Sequence, residues 1–308
     1  MFILNYNFLL EKCNLCIRNC NVNRVNGNVG VCNSTSSLKI ARAKLHHWEE
    51  PCISGKNGSG TVFFSNCNLK CVFCQNHSIS QEGNGLEITI NRLSEIFLEL
   101  QLQGAHNINL VTPTHYVPQI IEALKLAKSK GLNIPIIYNT NSFDSLETIK
   151  MLNGYIDVYL PDFKYFSDKY AITYSKAPGY SKNALEIIKE MVAQVGGPIF
   201  KDDMIQKGVI VRHLLLPGLL FDSKKIIDTL YNNFGDNIYI SFMNQYTPLY
   251  NSKNFPEINK TINPKVYDSL INYAINIGVK NGFIQEEGTN SESYVPSFKN
   301  EGVESIDN

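Results

Sequence analysis

The chain has 308 residues with 28 basic and 28 acidic side chains, so its formal net charge at pH 7 is zero. A balanced chain has no overall attraction to nucleic acid or to an anionic membrane, and neither is expected as a partner. Its 44% apolar content is that of a globular protein, and no run approaches the roughly 18 apolar residues of a membrane span. The start, Met1 to Leu10, is apolar but broken by Asn5 and Asn7 and lacks a basic flank, so it does not read as an export signal. A cytoplasmic protein is expected. Its eight cysteines are then metal ligands or free thiols rather than disulfides.

Cys13, Cys16, Cys20 and Cys32 follow the spacing C-x2-C-x3-C-x11-C. The segment is too short to bury a core, so a metal would supply its folding energy. Four thiolates satisfy either a second 4Fe–4S cluster or a tetrahedral zinc, and the residues leave both open. Leu38 to Leu45 alternates like a strand. The stretch His46-His47-Trp48-Glu49-Glu50-Pro51 reads as a polar connection, the alternative being that His46, His47 and Glu50 face the barrel mouth, and Cys52, which joins no set, as a buried free thiol. Residues 1–55 are expected to form this cysteine-rich segment and connection, 56–290 the main body, and 291–308 a polar, loose tail.

Behind the apolar run Thr61-Val62-Phe63-Phe64 come Cys67, Cys71 and Cys74, three thiols within eight residues. A protein-held 4Fe–4S cluster usually takes four thiolates, so three leave one iron open for substrate or cofactor. Strands are then expected at 108–111, 134–138, 155–160, 208–216 and 237–242. Helices are expected at 93–102 (Ser94 near its start), 117–130, 146–152, 183–195, 223–231 and 266–277. Together with the run before Cys67 this makes six strands interleaved with helices. The fold class is α/β, with a parallel sheet and right-handed crossovers. Six units fall short of the eight that close a TIM barrel, so a partial (β/α)6 barrel is expected, with its site at the C-terminal strand ends.

The C-x3-C-x2-C spacing with Phe73 just before the third cysteine resembles the signature of the radical S-adenosylmethionine (radical SAM) superfamily. The wider stretch from Gly58 through Cys74-Gln75-Asn76 resembles pyruvate formate-lyase-activating enzymes, most of all their PflX-type homologues. The likeness runs from Cys13 through most of the chain. It implies the partial barrel, a 4Fe–4S cluster on Cys67, Cys71 and Cys74, and S-adenosylmethionine chelating the open iron. It also implies one-electron cleavage of the cofactor to methionine and a 5′-deoxyadenosyl radical, with a flavodoxin or ferredoxin as reductant. Two departures stand out. The Gly-Gly-Glu run that family members often carry after the second strand is absent, and Asn244-Gln245-Tyr246 replaces a stretch where activating enzymes commonly have histidine.

Candidate cofactor-binding residues lie beside the thiols (Phe73, Asn76) and after successive strands. Thr112 and Thr114 offer oxygens to the cofactor's ammonium, and Asn139 follows the third strand. Asp162 and Lys164 match an Asp-x-Lys pattern that activating enzymes carry near the cofactor, and two residues apart they can pair. Arg212 sits inside an apolar strand and needs a carboxylate there, from the cofactor or from Asp162. The expected reaction is hydrogen abstraction from a peptide or protein, a glycine Cα–H being a good target. The alternatives are radical chemistry on a small molecule, or a non-enzymatic iron–sulfur electron-transfer protein.

Overall fold

Runs of β-branched, aromatic and aliphatic residues make the strands. The computed structural model describes residues 7–285, 296 and 298–304. Residues 1–6 and most of the tail after Gly288 lie outside it. Among the described residues the strands are β1 (Leu38–His46), β2 (Ser59–Phe64), β3 (Leu86–Ile88), β4 (Ile108–Val111), β5 (Ile136–Thr140), β6 (Val158–Pro161), β7 (Ile199–Lys201), β8 (Met204–Leu214), β9 (Tyr239–Met243) and β10 (Gly282–Ile284). They form one sheet in the order β10-β9-β8-β6-β5-β4-β2-β1-β3, with β7 a hairpin partner of β8. β2, β4, β5, β6, β8, β9 and β10 pair in parallel, while β1 runs antiparallel to β2 and β3. The sheet does not close on itself.

The α/β architecture and its parallel order are as expected. A seventh parallel strand, β10, was not foreseen, because three residues are too few to show a period of two. The helix expected at 93–102 begins earlier, at Ile90. Thr89 caps it by accepting the Arg92 backbone N–H at 3.1 Å, and Ser94 is buried inside it. A helix at Asp168–Ser175 escaped the reading because its polar and apolar residues show only weak segregation.

Helices cover the sheet through apolar faces. In Val117–Ser129 the buried side chains include Val117, Ile120, Ile121, Ala123 and Leu124, the i, i+3, i+4, i+7 stripe of a helix packed on a core. Each large side chain so buried stabilises the fold by about 1.5–3 kcal/mol.

Two peripheral segments are sewn onto this frame. Around the N-terminal cysteines, the Ile17 N–H donates to the Phe143 carbonyl at 3.4 Å and the Ser145 N–H to the Leu15 carbonyl at 3.1 Å. The described part of the tail, residues 298–304, is docked rather than loose. The Asn300 N–H donates to Ala41 O at 3.1 Å and the Ala43 N–H to Glu301 O at 2.9 Å. Arg92 donates to the carbonyls of Val303 and Glu304 at 3.1 and 2.8 Å, and Val303 is fully buried.

Candidate active site

The loop after β2 carries Cys67, Cys71 and Cys74 at the C-terminal edge of the sheet. Asn66, in the left-handed region at φ 73°, turns the chain out of the strand, a conformation asparagine tolerates. Backbone donors from the loop anchor it to the end of the Asp168–Ser175 helix: Lys70 N–H to Ser175 O at 3.0 Å and Val72 N–H to Tyr174 O at 2.8 Å. Each sulfur has a polar neighbour. Asn141 Nδ2 donates to Cys67 Sγ at 3.4 Å, the Ser175 hydroxyl donates to Cys71 Sγ at 3.0 Å, and Ser80 Oγ lies 3.2 Å from Cys74 Sγ. Burial pushes the thiols up, Cys67 to about 12 and Cys71 to about 11. As thiolates, such buried groups need a cation between them.

The three thiols line one cavity of about 600 Å³, and no fourth cysteine lines it among the described residues. Phe73, Asn76, Thr112, Asn139, Asp162, Lys164 and Arg212 line the same cavity. Thr114 does not. Thr112 adopts φ 55°, which breaks strand alternation, and the chain enters a 3-10 turn at Thr114–Tyr116. That turn presents Thr114 and His115 to the N-terminal cysteines instead. His115 is buried, with Nε2 2.8 Å from Ser65 O.

Charge in the cavity is arranged differently from the expectation. Lys164 Nζ pairs with Asp162 Oδ2 at 2.5 Å, as anticipated. Arg212 does not depend on Asp162 or on a cofactor for a carboxylate. Its Nε and Nη2 donate to the two oxygens of Glu50 at 2.8 and 2.7 Å, and Nη2 also pairs with Glu49. Burial opposes the charge on Glu50, but the guanidinium outweighs it and holds the carboxyl below its usual range. Asn109 Nδ2 fixes the second oxygen of Glu49 at 2.9 Å. The pairing of Glu49 and Glu50 with Arg212 was missed because they lie far from it in sequence, in a stretch that reads as a connector; of the two only Glu50 was considered for the barrel mouth. Ser80, Asn141 and Ser175, the neighbours of the thiols, carry no sequence signal of that role.

An open, mostly parallel sheet that presents three thiols, two buried and one half-buried, around a cavity at its strand ends has the arrangement of a β/α enzyme built on a metal–thiolate centre. The sequence model of the Radical SAM superfamily matches residues 61–230, more than half of the chain, and the chain belongs to that superfamily. It is 32% identical over 264 residues to the uncharacterized protein MJ0674 of Methanocaldococcus jannaschii, covering 82% of this chain and 71% of that one. It is 25% identical over 185 residues to the pyruvate formate-lyase-activating enzyme of Clostridium pasteurianum, covering 58% of this chain and 71% of that enzyme. Among solved structures, Streptococcus suis SuiB bound to precursor peptide SuiA superposes with a TM-score of 0.52 at 15% identity. That match covers 71% of this chain but 46% of SuiB, and it shows a shared fold.

Membership implies a 4Fe–4S cluster and S-adenosylmethionine as cofactors. The donor set fits: two buried thiols and one half-buried thiol, each with a polar neighbour, open onto one cavity that no fourth thiol lines among the described residues. No described helix is long and apolar enough to cross a membrane.

Proposed function

We propose that this protein reductively cleaves S-adenosylmethionine and takes a hydrogen atom from a peptide or protein substrate, in the manner of a glycyl-radical activase. The observation that carries the reading is the three-thiol set at one end of a cavity large enough for a cofactor and part of a substrate. When bound, the cluster supplies one electron that breaks the cofactor's S–C bond, giving methionine and a 5′-deoxyadenosyl radical.

Cys67, Cys71 and Cys74 would hold three irons. Glu49, Glu50 and Asp162 against Arg212 and Lys164 leave the cavity one carboxylate in excess, which suits a ligand bearing a sulfonium. Asp162 and Lys164 border Cys71 electrostatically and would position the cofactor beside the thiols. Phe73, packed edge-on against Tyr246 at 5.7 Å between centroids, would exclude water there. A peptide substrate accords with the open sheet and with the peptide bound by SuiB. The likeness to the Clostridium activating enzyme supports a protein target, and a flavodoxin or ferredoxin is the proposed reductant.

The test is anaerobic. Cluster-loaded, reduced protein is expected to form methionine and 5′-deoxyadenosine, and Cys71→Ala to form neither. With deuterated candidate peptides, label is expected in the 5′-deoxyadenosine. Label arriving only from small molecules would reject the peptide reading, and no cleavage by fully loaded wild type would reject the activity.

A further inference from the structure

We propose that Cys13, Cys16, Cys20 and Cys32 hold a second 4Fe–4S cluster, not zinc, placed close enough to Cys67 to exchange an electron with the first. The four thiols surround one small void together with Arg18, Arg24, Gly30 and Thr114. Gly30 is there by necessity: a Cβ would fall 2.8 Å from Cys20 Sγ.

The charge of the surroundings demands an anion. Arg24 is fully buried. Its guanidinium donates to the carbonyls of Ser34, Thr35 and His115 and to Cys13 Sγ at 3.8 Å. It has no carboxylate partner among the described residues. A buried cation so placed is costly unless an anionic group faces it. Four neutral thiols do not meet that need, whereas four thiolates on a metal centre carry net negative charge. One donor at the void also lacks an acceptor, Arg18 Nη2. The sulfides of a cluster supply such acceptors in addition to the thiolates.

Spacing separates a cluster from zinc. Zinc–thiolate bonds of about 2.3 Å would draw four sulfurs to roughly 4 Å of one another around a single point. Among the described residues no three Cys, His, Asp or Glu side chains converge in that way. The thiols instead border a small void, which a zinc site would close. In a 4Fe–4S cluster each thiolate binds a different iron, so the sulfurs stand apart.

The two thiol sets are separated by little more than one side chain. Asn68, the neighbour of Cys67, lies beside Cys16, and its Oδ1 lies 3.9 Å from Cys67 Sγ. Arg18 Nε donates to Asn68 O at 3.1 Å. An external low-potential one-electron donor would reduce the N-terminal cluster, and the electron would pass to the barrel cluster without any bond forming or breaking. The metal assignment stands apart from the proposed activity; only the electron exchange rests on it.

The test is elemental analysis of the full chain after anaerobic reconstitution, alongside zinc. About eight iron and eight acid-labile sulfide per chain, with no stoichiometric zinc, are expected. About four iron with one zinc, or about four iron with no second metal, would overturn the assignment, whatever the cofactor-cleavage assay gives. A Cys67→Ala/Cys71→Ala/Cys74→Ala variant is expected to keep about four iron; a colourless variant that remains folded by circular dichroism would also overturn it. For electron exchange, the paramagnetic resonance spectrum of reduced wild type is expected to show spin–spin broadening. A spectrum equal to the sum of those from the triple variant and a Cys16→Ala/Cys20→Ala variant would overturn that part.

Discussion

Arg212 illustrates how a single residue is decided by its partners. A guanidinium in an apolar strand announces that a carboxylate must face it, and the two that do, Glu49 and Glu50, come from the connection between β1 and β2. Removing one partner of a buried pair leaves charge uncompensated, so Glu50→Ala is expected to destabilise the protein by about 3 kcal/mol, measured as a shift in urea midpoint. Glu49 stays on the guanidinium and keeps the loss at the lower end of that class. His213 gives a pH dependence. Burial pushes it down to about 4 from 6.5, with Nδ1 donating to Phe163 O and Nε2 accepting from Ser223, both at 2.8 Å. Between these values the unfolded chain binds the proton and the folded one does not. His213 therefore contributes full stability above pH 6.5, and that contribution, of order 3 kcal/mol, is lost as pH falls toward 4. In His213→Gln the fall in urea midpoint across this window is expected to shrink; an unchanged slope would show that other groups carry it.

Among the elements, the described tail is bound through geometry that composition does not reveal. Asn300 to Glu304 lies along β1 and closes on Arg92, and Arg42 Nε pairs with Glu301 at 2.8 Å. Gly302 sits in the left-handed region at φ 72°, and a Cβ there would collide with the Ala43 carbonyl. Gly302→Ala is expected to undock the segment and cost about 1–3 kcal/mol, read as faster proteolysis near residue 300 and a lower urea midpoint. The strands were legible where apolar residues run four or more together, as in Ile108–Val111. β10 was not, because its pairing with β9 rather than its own composition makes it a strand. The helix at Ile90 was placed late because Thr89, outside the apolar stripe, is the residue that starts it.

For the whole molecule, the open sheet leaves a cavity of about 600 Å³ at its strand ends rather than a packed barrel interior, and the three thiols and the charged pairs share it. A ligand that binds only the folded state adds stability by mass action. S-Adenosylmethionine at a hundred times its dissociation constant is therefore expected to stabilise cluster-loaded wild type by about 2.7 kcal/mol, seen as a higher thermal midpoint. Asp162→Asn/Lys164→Met protein is expected to need more cofactor for the same shift. An equal shift at equal concentration would remove this pair from the cofactor site.

Spacing and composition alone determined the α/β class, the parallel order, the three-thiol loop and the set of four N-terminal cysteines, because periodicity and cysteine spacing are local properties of a chain. That Asp162, Lys164, Asn139 and Thr112 would share one edge was legible for the same reason, since a parallel sheet puts the residues after its strands there. Thr114 went elsewhere because one positive φ at Thr112 redirected the chain. Only the tertiary structure decided that Glu49 and Glu50 face Arg212, that Ser175 and Asn141 reach the thiols, and that Asn68 stands between the two cysteine sets. Each of these depends on residues far apart in sequence being brought within a few ångströms, and no local pattern records that.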